Sequence, residues 1–152
     1  MSGDYVSYLV RYNSWATAEV LAFLAAHPAL VDATAPGVFG SSLETMNHLV
    51  LAEASYLNRL SGGPPFVDPP DMPLHELTAY AREVASRAEA VVRALPPPEQ
   101  PLQRSAGRFA AETVFGQLIQ HGIEHRTQVC TIAGASGLEP PDLTSWWFGG
   151  RV

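Results

Sequence analysis

Four long segments with the hydrophobic spacing of an α-helix, closed by proline or glycine, constrain the fold of this chain more than any other feature. Within them apolar residues recur three and four positions apart, which gives each helix an apolar stripe to bury. The predicted helices cover residues 4–26, 42–60, 73–95 and 110–133. No segment alternates convincingly between apolar and polar residues, as a strand does. We therefore predict an all-α fold, a four-helix bundle.

Two connections, residues 62–72 and 96–108, are long for a minimal bundle. Such loops tend to cross over a bundle or to shape a pocket. The tail, residues 138–152, holds three large aromatic side chains, Trp146, Trp147 and Phe148. Because large aromatic groups are seldom left in water, we expect the tail to pack back on the bundle or to line its mouth, in preference to docking a partner.

The length of 152 residues suits one domain, residues 1–152, with its own core. A net charge of −6, with nine arginines scattered along the chain and no lysine, argues against a nucleic-acid binder. No apolar run approaches the length of a membrane span, and the N-terminus does not resemble a signal peptide. The single cysteine, Cys130, allows no intrachain disulfide. The expected compartment is the cytoplasm.

Two histidines on the fourth predicted helix carry the strongest indication of chemistry. His121 and His125 lie four residues apart, so their rings stack on one helical face. That face is the apolar stripe of Val114, Leu118, Val129 and Ile132. A buried imidazole needs a polar partner, and a hydrogen bond would satisfy one of them. A shared metal ion would satisfy both.

A third histidine, His48, lies on the second predicted helix, off the centre of its apolar stripe. It can point inward between helices, although periodicity alone does not establish this. Two ligands on one helix and one on a neighbour would leave coordination positions open, which is the pattern of catalytic zinc. His27 and His75 lie at a helix end and in a first turn and are weak candidates.

The segment from His121 to His125 also fits the H-x-x-E-H pattern of inverted zinc peptidases, with Glu124 as the general base. Those enzymes are far larger and need a downstream carboxylate ligand. Only Glu139 and Asp142 follow His125 here. Glu124 also lies about 100° around the helix from His125. We therefore disfavour a peptidase.

Five motifs follow one another along the chain: Tyr12-Asn13-x-Trp15, Met46-Asn47-His48, Ala52-Glu53, His121-x-x-x-His125-Arg126-x-Gln128 and the segment from Gly137 to Leu143. Through these motifs the chain resembles the DinB-like (DinB/YfiT) superfamily over nearly its whole length. Many relatives have two histidines before the arginine. Here Glu124 replaces the first of them, while the ligand position matches His125.

The resemblance implies a four-helix bundle in which His48, His121 and His125 bind one divalent metal ion, often zinc or nickel. It also implies a homodimer. Characterised members include thiol-dependent transferases that use mycothiol or bacillithiol, and a maleylpyruvate isomerase. The family name refers to induction by DNA damage and does not imply contact with DNA.

The leading hypothesis is a metal-dependent thiol S-transferase. The metal would bind a low-molecular-weight thiol, lower its pKa and present it to an electrophile. Glu124, Glu44 or Asn47 would orient the ligands or handle protons. Residues 64–73 and the aromatic tail would shape the electrophile pocket.

Two alternatives remain beside this hypothesis: a non-catalytic, stress-associated metal-binding bundle, and a metal-dependent hydrolase. Cys130 is a rival nucleophile, but its place late in the fourth helix favours a small buried hydrophobe.

Overall fold

A computed structural model describes residues 5–150 and shows the expected helical bundle. The long helices are α1 (Tyr5–Ala26), α2 (Ser42–Leu60), α3 (Leu74–Val92) and α4 (Ala111–Ala135), and a short α5 (Ser145–Gly149) lies in the tail. A 3₁₀ turn, Pro28–Leu30, follows α1. The all-α prediction and the four long helices are confirmed. Asp4, where the first helix was predicted to begin, lies outside the described residues, as do Arg151 and Val152 of the tail.

The helices pack in the cyclic order α1, α3, α2, α4, so that α1 lies diagonally across from α2. Helices α1 and α4 run parallel, since Asn13 lies against Gly122 and Thr17 against Arg126. The connections from α1 to α2 and from α3 to α4 therefore join diagonal partners. As a result, two long loops extend across the bundle.

The connection between α2 and α3 returns along the bundle to the start of α2, where Asn47 holds it. The side-chain oxygen of Asn47 accepts from the backbone N–H of Met72 (2.8 Å), and its amide donates to the Met72 carbonyl (2.9 Å). The start of α2 is itself fixed by a capping box between Ser41 and Glu44. These bonds hold the loop after α2 beside the first two turns of that helix.

The expectation that no strand would form was wrong for the connection between α3 and α4. Strands β1 (Pro101–Arg104) and β2 (Gly107–Ala110) form a small antiparallel hairpin. Strands of four residues are too short to show a clear alternation of apolar and polar residues. Gly107 has φ of +130°, which a glycine adopts without the strain of a Cβ, and this permits the tight turn. Leu102 is buried and anchors the hairpin to the bundle.

The tail packs on α1 through Phe148, whose ring lies 5.4 Å from the ring of Trp15 and 5.5 Å from that of Tyr8. This confirms the predicted packing of the tail on the bundle. Trp146 and Trp147, in contrast, are 84% and 70% exposed. Consecutive residues of a helix point about 100° apart, so α5 cannot turn all three aromatic side chains toward α1.

The apolar core runs through all four long helices and includes Leu24, Met46, Leu49, Leu77 and Leu118. Each of the long helices therefore contributes its stripe to one continuous core, as the periodicity predicted. None of the helices in residues 5–150 combines the length and the apolar character that crossing a membrane requires.

Candidate metal centre

Three histidines from two neighbouring helices converge on one point inside the bundle. Nε2 of His121 lies 3.1 Å from Nε2 of His48 and 3.1 Å from Nε2 of His125. One nitrogen from each ring lies within 4.8 Å of the others. His121 and His125 are buried, and His48 is the most exposed of the three. The structure thus brings together all three histidines that the sequence pointed to, and His48 does face inward.

Gln128 fixes which ring nitrogen of His125 faces the cluster. Nδ1 of His125 lies 2.8 Å from the side-chain oxygen of Gln128. Since an amide oxygen can only accept, Nδ1 carries the proton and donates it. Nε2 of the neutral ring then has a free lone pair directed at His121. Metal-binding histidines are commonly oriented by a hydrogen bond of this kind.

The cluster fits one divalent ion better than it fits hydrogen bonds among the rings. Nε2 of His121 has two close nitrogen neighbours but can share only one proton, and Nδ1 of His121 is buried without a partner. Two imidazole nitrogens at about 2.0–2.1 Å from one ion lie about 2.8–3.4 Å apart for octahedral to tetrahedral angles. The two separations from His121, both 3.1 Å, fall inside that range, and the ligand nitrogens of all three rings lie within 4.8 Å of one another. The cluster can therefore hold a divalent metal.

The surroundings favour the neutral form of His121 and His48, the form that metal binding requires. Burial, together with the neighbouring His125, His48 and Arg104, lowers the pKa of His121 to about 4. Burial, followed by the charge of His125, also lowers the pKa of His48, while Asp68 opposes this. Desolvation is the largest cause for both, because a charged ring loses more hydration than a neutral one.

A cavity of about 680 Å³ opens onto His48 and His121. The ring of Phe39, from the loop before α2, stacks on His48 with centroids 4.4 Å apart. The charged residues of the cavity wall are Glu44, Asp68, Asp71 and Arg104. The three histidines therefore lie at the edge of a space large enough for a small molecule, and His125 lies behind the other two.

Comparison with known proteins agrees with this geometry. A family model described as the DinB superfamily matches residues 12–129, well over half of the chain. The chain belongs to the DinB superfamily. The matched region contains all three histidines and the cavity-lining loops. No curated protein matches the chain, so its reaction has to be inferred from the site itself.

In this member of the DinB superfamily, a buried polar network lies next to the histidine cluster. Arg126, next to His125 in sequence, donates to the hydroxyl of Thr17 (3.0 Å) and to the backbone oxygen of Asn13 (3.3 Å). It also lies 3.8 Å from the carboxylate of Glu53, which accepts from the amide of Asn13 at 2.7 Å. A Cβ on Gly122 would lie 2.5 Å from Asn13 Oδ1 and 2.8 Å from Arg126 Nη1. Any other residue at this position would displace the side chains of Asn13 and Arg126.

The three candidates for orienting or proton-transfer roles occupy different places. Glu44 lines the cavity, but its carboxylate accepts from the Ser41 backbone N–H at 2.8 Å, which lowers its pKa. Asn47 is buried and binds Met72, so it positions the loop and does not face a ligand. Glu124 is exposed and lies in a separate groove with Leu9. Of the three, Glu44 alone lies on the cavity wall.

Cys130 lies on α4 beyond the histidines and is absent from the cavity wall. Burial raises the pKa of its thiol, and the nearby Arg126 only partly offsets this. A protonated, half-buried thiol is a poor nucleophile. The structure therefore favours the interpretation of Cys130 as a small apolar side chain.

Several residues of the site carry no sequence signal that marks them. Phe39, Asp68 and Arg104 lie on connections, where no periodicity predicts the direction of a side chain. Gln128 was detectable, because it lies three positions after His125 on the same helical face. Residues 64–73 do shape the cavity, as expected, through Asp68, Pro69 and Asp71. The tail was also expected to shape this pocket, and that expectation was wrong: its described part, residues 138–150, packs on α1 through Phe148 and is absent from the cavity wall.

Proposed function

We propose that this protein is a metal-dependent enzyme that activates a low-molecular-weight thiol for transfer to an electrophile, an S-transferase. His48, His121 and His125 would hold one divalent ion, with zinc or nickel the best matches because imidazole suits both. The observation that carries the proposal is the convergence of three Nε2 atoms beside an open cavity. An ion held by three side chains has coordination positions left for a ligand.

The metal, when bound, would supply Lewis-acid chemistry by lowering the pKa of a thiol ligand. The residues of the chain have separate tasks around it. Gln128 holds the ring of His125 in the tautomer that leaves Nε2 free. Phe39 stacks on one face of the His48 ring and limits how that ring can turn. Asp68, whose charge reaches His48, is a carboxylate of the cavity wall that can accept the proton a thiol gives up.

The thiol has to come from outside the chain. Cys130, the single cysteine, does not line the cavity, and the pKa of its thiol is raised. The cavity of about 680 Å³ has room for a small thiol together with part of an electrophile. These two features support a transferase that uses a free thiol over one that uses its own cysteine.

We expect the metal-loaded protein to accelerate the conjugation of a small thiol with 1-chloro-2,4-dinitrobenzene. The rate should follow metal occupancy and fall to background in His48→Ala, which removes a ligand. Cys130→Ser should retain most of the activity. Absorbance of the dinitrophenyl product measures both variants side by side.

An inactive Cys130→Ser with an active His48→Ala would contradict the metal mechanism. Stoichiometric metal without turnover over a panel of thiols and electrophiles would favour a non-catalytic metal-binding bundle. Metal-dependent cleavage of ester or amide substrates in the absence of thiol would instead favour a hydrolase.

We also propose that two copies of the chain associate through the face formed by α1 and α4. Leu9 and Ile123 are 38% and 46% exposed there and line an apolar groove with Phe115 and Ile119. A helix-on-helix dimer would bury these side chains. Sedimentation at micromolar concentration should show a species of twice the 16.4 kDa chain mass, and Ile123→Glu should shift it to the monomer. A wild-type protein that sediments only as a monomer would contradict this proposal.

A further inference from the structure

Arg104 is a cation of the cavity wall for which no acidic partner is visible. Among residues 5–150, no carboxylate lies within 4.0 Å of its guanidinium, and the ion pairs in that region join His75 with Glu76 and Arg126 with Glu53. The cavity wall contains carboxylates that could have neutralised it. A half-buried arginine left unpaired beside them has its five donors free for a ligand.

The hairpin and one ring hold this guanidinium in place. Leu102 and Arg104 lie two residues apart on β1 and share a face, and Leu102 is buried against the bundle. The guanidinium lies 4.7 Å above the centre of the Tyr56 ring, as in a cation–π contact. The ring of Tyr56 in turn lies 5.8 Å from that of His121. Arg104 is therefore separated from the metal centre by one aromatic ring.

We propose that Arg104 binds a carboxylate of the ligand, so that the thiol used by this protein is a small thiol carrying a carboxylate. This inference rests on the proposed function and specifies its substrate class. A planar guanidinium that stacks on a ring keeps its N–H edge free, and that edge can bind a carboxylate with two parallel hydrogen bonds. The thiol end of such a ligand would then reach the histidine cluster across the ring of Tyr56.

The same hairpin supplies a matched control. Arg108 lies on β2 opposite Gln103, on the face of the hairpin away from Leu102 and Arg104, and it is exposed. It carries the same charge on the same element but does not line the cavity. Arg108→Gln therefore removes one positive charge from the hairpin without touching the proposed contact.

The experiment titrates full-length, cobalt(II)-loaded protein by calorimetry with 3-mercaptopropionate and with its neutral amide. The wild type and Arg108→Gln should bind the carboxylate about tenfold more tightly, as expected for one charge-assisted contact. Arg104→Gln should lose this preference while its affinity for the amide stays within about twofold. Equal affinity for the two thiols in the wild type, or a preference that survives in Arg104→Gln, would overturn the inference.

A second ligand pair separates this inference from the proposed function. Imidazole-4-acetate and its amide can bind the cobalt through a ring nitrogen, so they test the carboxylate contact without a thiol. For the thiol ligands, a visible absorption band reports whether the sulfur reaches the cobalt. If the thiols give no band but the imidazole pair shows the preference that depends on Arg104, the proposed function fails and the carboxylate site stands. If the band appears and neither pair shows a preference, the carboxylate site fails and the proposed function stands.

Discussion

Arg126→Met is expected to lower the free energy of unfolding by about 3–5 kcal/mol at pH 8, the usual cost of removing one partner from a buried ion pair. Arg126 is 2% exposed and lies 3.8 Å from the carboxylate of Glu53, which is 5% exposed. The substitution leaves Glu53 buried without its cation and removes the donor to Thr17. Urea unfolding followed by circular dichroism measures the loss.

The loss of stability caused by Arg126→Met should be smaller at pH 5 than at pH 8, because the pKa of Glu53 lies between these values. Burial raises this pKa from 4.5 to about 7, against the opposing effect of Arg126. A carboxyl with a raised pKa in the folded state keeps a proton that the unfolded chain releases. Its contribution to stability therefore decreases as the pH rises from 4.5 through 7. Without Arg126 the pKa of Glu53 rises further, so the decrease in stability with rising pH becomes larger and extends above pH 7.

Two further variants make this prediction specific. Arg82→Met removes an exposed arginine of α3 and should change the stability by less than about 0.5 kcal/mol. The double variant Arg126→Met, Glu53→Gln removes both charges and should recover part of the stability at pH 8, with a flatter dependence on pH. An Arg126→Met protein that loses less than about 1 kcal/mol, or loses equally at pH 5 and pH 8, would show that the pair is not buried as described.

The helices of this bundle were predictable because their signal is local. Apolar residues at three-and-four spacing and the proline and glycine breaks defined all four within three residues of their observed ends. The hairpin was not predictable in this way, since its short strands are held by Leu102 in the core and by pairing across the turn. Tertiary contacts determine the conformation of such a segment, and its sequence alone shows neither the burial of Leu102 nor the pairing of the two strands.

The residues of the candidate site differ in the same way: some could be predicted from local spacing, and others depended on tertiary packing. His121 and His125 could be paired from their spacing on one helix, whereas the inward direction of His48 depended on how α2 packs against α4. The position of Arg104 over Tyr56 depends on the fold of a connection. Glu124 shows the opposite case: it stands between the two histidines in sequence, but the helical turn carries it to the surface.

The second large effect expected is a loss of metal affinity when a histidine of the cluster is replaced. Replacing any one of the three histidines with alanine (His48→Ala, His121→Ala or His125→Ala) removes one of the three ligand nitrogens. Losing a residue that only hydrogen-bonds to a ligand typically weakens metal binding roughly 10–100-fold, and losing a ligand should weaken zinc binding by more than that. Gln128→Leu should fall in that 10–100-fold range, because it removes the acceptor that orients His125. Competition with a chromophoric chelator at pH 7.5 measures these affinities.

His75→Ala is the matched control for the ligand variants. Its side chain is 82% exposed on the first turn of α3, and it does not belong to the cluster of His48, His121 and His125. It should bind zinc like the wild type. Weakening in His75→Ala equal to that in His121→Ala would show that the loss does not come from the cluster.

Elemental analysis of the purified protein tests the three-histidine metal centre most directly. The wild type and His75→Ala should contain about one equivalent of a divalent metal per chain, and His48→Ala, His121→Ala and His125→Ala should contain far less while remaining folded by circular dichroism. Equal metal content in all five proteins, or no metal in the wild type even after loading with zinc and nickel, would contradict the assignment of this cluster as a metal centre.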